Sequence, residues 1–360
     1  MTSSYKRLGN YIQPVDNRNK ELKNLNLVGL TINKVFIPSV ANTIGTDMTN
    51  YKIIQKNQFA CSTMQVRRDK RMPVALYNED TPALISQAYP LFEIIDPKEL
   101  LPEYLMMWFT RAEFDREACF HAVGGVRGSL EWNDFLDFKL PIPTPEKQQQ
   151  LVNEYHTLQK RIDLNNQLIA KLEETAQTIY KQWFVEGIDL ENLPDGWRLG
   201  KLKDLIDVKY GKAYSHLEKG NIPLYGSGGL MGKVNKALYS KPSVLIPRKG
   251  TLSNIMFVNE PFWCVDTMFY SIFNDDVNGY YSFYILKQLD FNALDQGSAV
   301  PSMTTAFLNS IDVVLPNKDA LTKFNNSLKK IVTHKEIIEK ENLKLNELKE
   351  LLLGKMAKGN

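Results

Sequence analysis

The sequence predicts an α+β fold: two similar domains separated by a long antiparallel two-helix coiled coil, with an internal pseudo-two-fold repeat. Three observations carry this expectation: a gapless internal repeat, an apolar stripe of period seven that occurs twice, and a strand-to-helix join marked by prolines.

The stretch GGVRGSLEWNDFLDFKLPIP (124–143) overlays GSAVPSMTTAFLNSIDVVLP (297–316) at an offset of 173 residues without a gap. Gly124 meets Gly297, Ser129 meets Ser302, and Leu130 meets Met303. Phe138, Leu140 and Ile142 fall on Ile311, Val313 and Leu315, the alternation of a half-buried strand. Downstream, Leu151, Leu158, Leu172 and Ile179 fall on Phe324, Ile331, Leu345 and Leu352. Tyr155, Ile162 and Ile169 add a second seam in the first copy, and the skipped heptad place is Asn165 in one copy and Ile338 in the other. Such a repeat signals a coiled-coil-like helix, and one stripe alone leaves a helix marginal, so each long helix is expected to pack on the other. If the halves obey two-fold symmetry, the helices run antiparallel with a domain at either end. Proline lacks an amide N–H and suits the first helical turn, so Pro143, Pro145 and Pro316 end the strand and start the helix.

The implied boundaries are a first domain at 1–143, a long helix at 144–187, a second domain at 188–316 and a closing helix at 317–360. The second unit opens at the turn Pro194–Asp195–Gly196, followed by Trp197, Leu199, Leu202 and Leu205. Each domain reads as short strands and turns plus one helix before its glycine loop, at roughly 102–121 and 278–293.

Composition is that of an ordinary globular chain, with 43% hydrophobic and 24% charged residues and a formal charge of +3, which is weak information about partners. Cys61, Cys119 and Cys264 stand far apart, in no metal-binding or disulfide spacing. The opening MTSSYKRLGN has no apolar leader, and no apolar run approaches the length of a spanning helix, so a reduced cytoplasmic location is expected.

Basic residues beside glycine turns are the candidate binding sites. CSTMQVRRDKRMP (61–73) offers Arg67, Arg68, Lys70 and Arg71. IPRKGTLSN (246–254) offers Arg248, Lys249, Thr251 and Ser253. YGSGGLMGKVNK (225–236) offers Tyr225, Ser227 and Lys233, and Lys212 lies just upstream. This last segment misses the phosphate-loop pattern at Ser227 and Val234 and the dinucleotide pattern at Met231. It reads as a turn presenting N–H groups to phosphates, or as a purely structural hairpin. The glycine loops before the repeated strand offer Arg127, Ser129, Ser298 and Ser302. Arginine forks onto guanine, and Lys, Ser and Thr position phosphates, whereas a solvated loop is the alternative reading. Catalytic patterns are missing: His121, His156, His216 and His334 form no zinc motif, there is no GxSxG elbow, and no Asn/Asp-Pro-Pro-aromatic tetrad occurs. No metal and no cofactor are expected.

In its order of motifs the chain resembles the specificity (S) subunit of type I restriction-modification systems, over essentially its full length. The resemblance rests on LPDGW opening the second half, on IPLYGSGGLMGKV, VLIPRKGT and WCVDT within it, and on FACSTMQVRRDKRMPVALYNEDTPALISQAYPLFEI in the first. It rests also on the strand–proline–helix junction, present as Pro141, Pro143, Pro145, Glu146 and Gln148 and reduced to Pro316 and Asp319 in the second copy. The plain opening YKRLGNYIQ departs from the family's Pro…Trp start. The resemblance implies that each domain is a target-recognition domain reading one half of a bipartite DNA site. The helices would set the spacer and dock methyltransferase subunits, two being expected, with a restriction subunit joining the assembly. It implies a non-catalytic subunit; a two-domain protein-binding scaffold is the alternative. Because each neutralised phosphate adds salt-dependent affinity, a chain of charge +3 should bind DNA weakly until its partners complete the basic channel.

Overall fold

The computed structural model describes residues 5–41, 45–124, 128–289 and 303–357. It comprises two compact units, one formed by Met1–Asn166 with Lys340–Asn360 and the other by Gln167–Glu339.

In the first unit Tyr5–Arg7 pairs antiparallel with Lys139–Pro141, in the register Tyr5↔Pro141. Two four-stranded sheets follow. One is antiparallel, in the order Ile12–Val15, Leu91–Ile94, Phe59–Cys61, Val74–Leu76. The other has the order Phe36–Pro38, Leu27–Leu30, Ala83–Ile85, Lys52–Ile54, and its central pair is parallel. The main core packs aromatic on aromatic, with Phe59 and Phe92 stacked at 4.9 Å and Phe109, Phe114 and Phe135 set against them. The helix expected over 102–121 is two helices, Pro102–Thr110 and Ala112–His121, because Arg111 adopts an extended backbone (φ −69, ψ 140). The Thr110 hydroxyl donates to the Met107 carbonyl at 2.7 Å, and the Arg111 guanidinium lies 4.1 Å over the Trp108 ring, contacts that favour the break.

The second unit repeats this plan. Arg198–Lys201 pairs antiparallel with Asp312–Leu315. An antiparallel sheet has the order Ile206–Tyr210, Met268–Phe273, Ser243–Pro247, Met256–Val258. A three-stranded sheet has the order Gly229–Val234, Lys219–Gly226, Trp263–Cys264, its last pair parallel. The helix expected at 278–293 is observed as Gly279–Gln288, and the far end of that span lies outside the described residues.

Backbone bonds reveal how deep the duplication runs. Leu8 N donates to Phe138 O at 2.7 Å, as Leu202 N does to Ile311 O at 2.9 Å. Ile95 N donates to Tyr11 O at 2.9 Å, as Asn274 N does to Leu205 O at 3.0 Å. The buried Tyr104 hydroxyl donates to Pro141 O at 3.0 Å, and the Tyr281 hydroxyl to Val314 O at 2.6 Å. The plain opening YKRLGNYI is thus the counterpart of LGKLKDLI (199–206), equal in hydrogen bonding though not in sequence.

The long helices are Pro145–Phe184 and Lys318–Met356. In the first unit the start of one and the end of the other enter a single core, through Leu151, Val152, Leu352, Leu353 and Met356. In the second unit the opposite ends do so, through Ala176, Tyr180, Phe184, Leu321, Phe324 and Leu328, which makes the pairing antiparallel. Gln148 explains the proline join. Fully buried, it accepts from Leu101 N at 2.8 Å and donates to Glu99 O and Pro143 O, each at 2.8 Å, so its amide ties the proline join to the segment that opens the helix at Pro102. At the helix start Thr144 accepts from Lys147 N at 3.4 Å, as its counterpart Asn317 accepts from Ala320 N at 2.9 Å in the second copy.

Candidate nucleic-acid interface

Both basic clusters lie on the same connection of the repeated fold, between the third and fourth strands of the antiparallel sheet. In the first unit this is the loop after Phe59–Cys61. Ser62 N donates to Pro73 O at 2.8 Å and closes its base. Buried Val66 anchors a short helix, Val66–Asp69, bracketed by Gln65 and Lys70 in left-handed backbone (φ 62 and 52). Arg67 reaches the glycine turn, its amide donating to Gly128 O at 3.3 Å and its Nη1 to Gly124 O at 3.0 Å. Arg68 forks onto its neighbour Asp69 at 2.6 and 3.0 Å, and Arg71 donates to Asn33 Oδ1 at 3.2 Å. Lys70 is exposed. A cleft of about 480 Å³ opens beside the loop, lined among others by Ile32, Met64, Gln65, Asp69 and Tyr89.

Beneath the loop lies a buried ion pair. Lys34 Nζ donates to Asp115 Oδ1 at 2.8 Å and to the Phe109 carbonyl, and the same Oδ1 accepts the Met72 amide at 3.1 Å. Burial pushes the Lys34 pKa below its ordinary value, with Asp115 opposing the shift.

In the second unit the glycine-rich segment is a hairpin. Gly226 pairs with Gly229, which places Ser227 and Gly228 at its tip. The basic loop packs on that tip: Asn254 Nδ2 donates to Ser227 O at 2.9 Å, and Gly250 (φ +81) leaves only 2.7 Å between an added Cβ and Ser227 Oγ. Lys249, Thr251 and Ser253 are exposed there. Tyr225 and Ser253 line a cleft of about 470 Å³ with Tyr280 and Phe283, and burial raises the Tyr225 pKa. Arg248 is more engaged. Its guanidinium lies 4.8 Å over Tyr210 and 5.3 Å over Phe269, and Nη1 donates to Asp266 O at 2.8 Å. Lys212 is exposed, with its carbonyl accepting from Trp263 Nε1 at 2.9 Å. Lys233 stands on the returning hairpin strand opposite Pro223 and lines a different cleft with Tyr214 and Leu217.

In both units the residue that follows the glycine-containing stretch in sequence bonds the basic loop. Leu130 N donates to Thr63 O at 2.9 Å and Met303 N to Arg248 O at 3.3 Å. Ser129 exchanges backbone bonds with Val123 at 2.9 and 3.0 Å. Arg127, Ser298 and Ser302 lie outside the described residues. Sequence reasoning missed Asn33, Lys34, Gln65 and Asp115, and the exposed aromatics Tyr210 and Tyr214 beside Lys212. Only the turn-forming pair Asn33–Lys34 left a readable trace.

Burial raises the thiols of Cys61 and Cys264 to about 12, and the four histidines are exposed. Among the described residues no cluster of three or more His, Cys, Asp or Glu could hold a metal ion, and no helix is long and apolar enough to cross a membrane.

Two copies of one α+β module, each with a basic loop bonded to the segment ahead of its closing strand, make this a duplicated two-domain protein. A family model described as type I restriction modification DNA specificity domain matches residues 11–174 and again 194–349, and the chain belongs to that family. The type I restriction enzyme MjaIX specificity subunit of Methanocaldococcus jannaschii is 20% identical over 312 residues, 74% of this chain and 71% of that protein. The HindI specificity subunit of Haemophilus influenzae is 28% identical over 99 residues, 26% of this chain and 22% of that one. Among solved structures, the S subunit of a type I restriction-modification system from M. genitalium superposes with a TM-score of 0.60 at 16% identity, covering 98% of this chain and 95% of that one. A chain from a type I R-M system solved to describe complex assembly and conformational transition gives 0.50 at 17% identity, covering 98% and 96%.

Proposed function

We propose that the chain is the sequence-specific DNA-binding specificity subunit of a type I restriction-modification complex, a recognition subunit with no catalytic role of its own. Residues 1–143 and 188–316 are its target-recognition domains, each reading one half of a bipartite site on double-stranded DNA. The helices at 144–187 and 317–360 set the spacer and dock two methyltransferase subunits, and a restriction subunit completes the assembly, which works in the cytoplasm.

One observation supports this reading above the others: the basic loop and the segment that leads into the repeated strand are tied by the same backbone bond in both units, Leu130 to Thr63 and Met303 to Arg248. A protein evolved to read two half-sites needs two equivalent reading edges. Arg67, Arg68, Lys70, Arg71 and Ser129 serve the first edge, with Arg127 beside them in sequence. Lys212, Tyr225, Ser227, Lys233, Arg248, Lys249, Thr251 and Ser253 serve the second, with Ser298 assigned there from sequence. Intramolecular bonds to Arg67, Arg68 and Arg71 hold those guanidinium groups in place before DNA arrives.

The test is methylome mapping in a host that carries the chain with its cognate methyltransferase. Wild type should mark one bipartite motif, and Arg67→Ala should relax bases in one half only. Uniform loss of both halves would assign Arg67 to folding. Equal binding to scrambled duplexes would favour a protein-binding scaffold.

A further inference from the structure

Lys34 and Asp115 lie 81 residues apart in sequence and meet beneath the first basic loop with side chains 8% and 13% exposed. Burying two charges is costly, and for stability alone an apolar pair of similar size does as well or better. This pair has a second task. The oxygen of Asp115 that holds Lys34 also accepts the amide of Met72, the buried residue at which the basic loop rejoins the sheet. Lys34 in turn is tied to the Phe109 carbonyl, so hairpin, loop and helical layer meet at one carboxylate.

The loop has strain to be held. Gln65 and Lys70 occupy left-handed backbone on either side of Val66–Asp69, and Lys34 does so in its own hairpin (φ 64). Non-glycine residues keep such conformations only when their surroundings fix them. The result is that Gln65 lines the open cleft, and a Gln amide can pair with the N6 and N7 edge of adenine.

We propose that Asp115 is a positioning residue for the first half-site, with Lys34 holding it: through the Met72 amide the pair fixes how Gln65–Arg71 meet the bases. The inference rests on the DNA-reading function above. No contact of Lys34 or Asp115 with DNA is invoked.

The test scores binding of the full chain, assembled with its cognate methyltransferase, to a duplex library randomised in both half-sites. Asp115→Ala removes the Met72 acceptor. Lys34→Met combined with Asp115→Asn removes both buried charges and keeps a neutral acceptor. Asp115→Ala should lose at least ten-fold in discrimination at the first half-site, with the second unchanged, and the double variant should stay within about three-fold of wild type. An Asp115→Ala protein that still discriminates at the first half-site overturns the proposal, as does a double variant that loses discrimination there. If Asp115→Ala fails to fold, Lys34→Met combined with Asp115→Leu, which removes both charges and the acceptor, takes its place: a loss of at least ten-fold at the first half-site is expected, and retained discrimination overturns the proposal. A wild-type complex with no preference at either half-site would instead defeat the DNA-reading function itself.

Discussion

Asn165 donates its side-chain amide to Asn342 Oδ1 at 2.9 Å and to Glu341 Oε2 at 3.1 Å, from a position only 3% exposed in the seam of the long helices. Glu341 also takes a two-pronged bond from Arg161 at 3.0 and 3.2 Å, and Asn342 returns a bond to Asn166 at 2.9 Å. A buried amide in a coiled-coil seam pins register at some cost in stability. The repeat supplies the control, because the counterpart of Asn165 is buried Ile338. Asn165→Ile should raise stability by about 1 kcal/mol in urea unfolding while loosening register. Methylome maps should then show more than one spacer length; an unchanged single spacer would leave the amide without a register role.

Tyr104 and Tyr281 make a matched pair of tests. Each donates to the strand that leads into a long helix, at Pro141 O and Val314 O, with distances of 3.0 and 2.6 Å. Burial raises both phenols above their ordinary pKa, so both donate as neutral hydroxyls. Tyr→Phe at either position should cost about 1–3 kcal/mol, because a buried carbonyl loses its partner. Similar costs from the two variants in urea titrations would show the repeat to be energetic as well as geometric.

Much of this was legible beforehand, and the reasons for the gaps are physical. The closing half of each unit could be aligned because Phe138, Leu140, Ile311 and Val313 must alternate in the same core-facing strand. The openings could not, because Leu8 with Leu202 and Ile12 with Ile206 are nearly the only side chains they share. The rest of that likeness is backbone bonding, which composition does not encode. The break at Arg111 left no proline or glycine to announce it. The basic loops were readable as clusters of charge. Arg68 pairs with its own neighbour Asp69, which a count of charges hides, and the pairing of Lys34 with Asp115 was settled only when the segments packed.

Gly250→Ala addresses the proposed second reading edge. Alanine is strained at φ +81, and its Cβ would lie 2.7 Å from Ser227 Oγ, so the loop backbone must shift and the Ser227 hydroxyl must turn away. Discrimination at the second half-site should fall several-fold while the first stays at its wild-type level. Equal losses at both would point to a general folding defect.

The ion pair between Glu173 and Lys335, 2.8 Å apart in the second unit, makes a pH prediction. Burial penalises the charge on Glu173 and is the largest single influence, yet the bond to Lys335 together with the charges of Lys335 and Lys287 outweighs it and lowers the carboxyl pKa. A carboxyl depressed on folding contributes stability above its unfolded value, near 4.3, and loses that contribution as pH falls through the folded value. Burial likewise opposes the charge on Lys335, while Glu173 and Glu339 raise its pKa, so its share is lost only at strongly alkaline pH. Glu173→Gln should therefore lower the urea midpoint at pH 7, with the gap from wild type closing toward pH 3. A gap independent of pH would mean that packing, not charge, supplies the contribution.

Spacing is the last property to test, and length separates it from base preference. The helix Pro145–Phe184 carries the chain from one set of strands to the next in 40 residues. Four residues inserted after Leu158 add about one helical turn, so the apolar stripe stays nearly in phase and the insertion acts as a local stutter in the seam. Asn165, Glu341 and Asn342 would then meet different partners, yet neither basic loop would change its own anchors at Thr63 and Arg248. Methylome sequencing should show a longer spacer between the same two half-sites. Altered half-site bases at constant spacing would mean that the helices do not set the distance and that the reading loops respond to them instead.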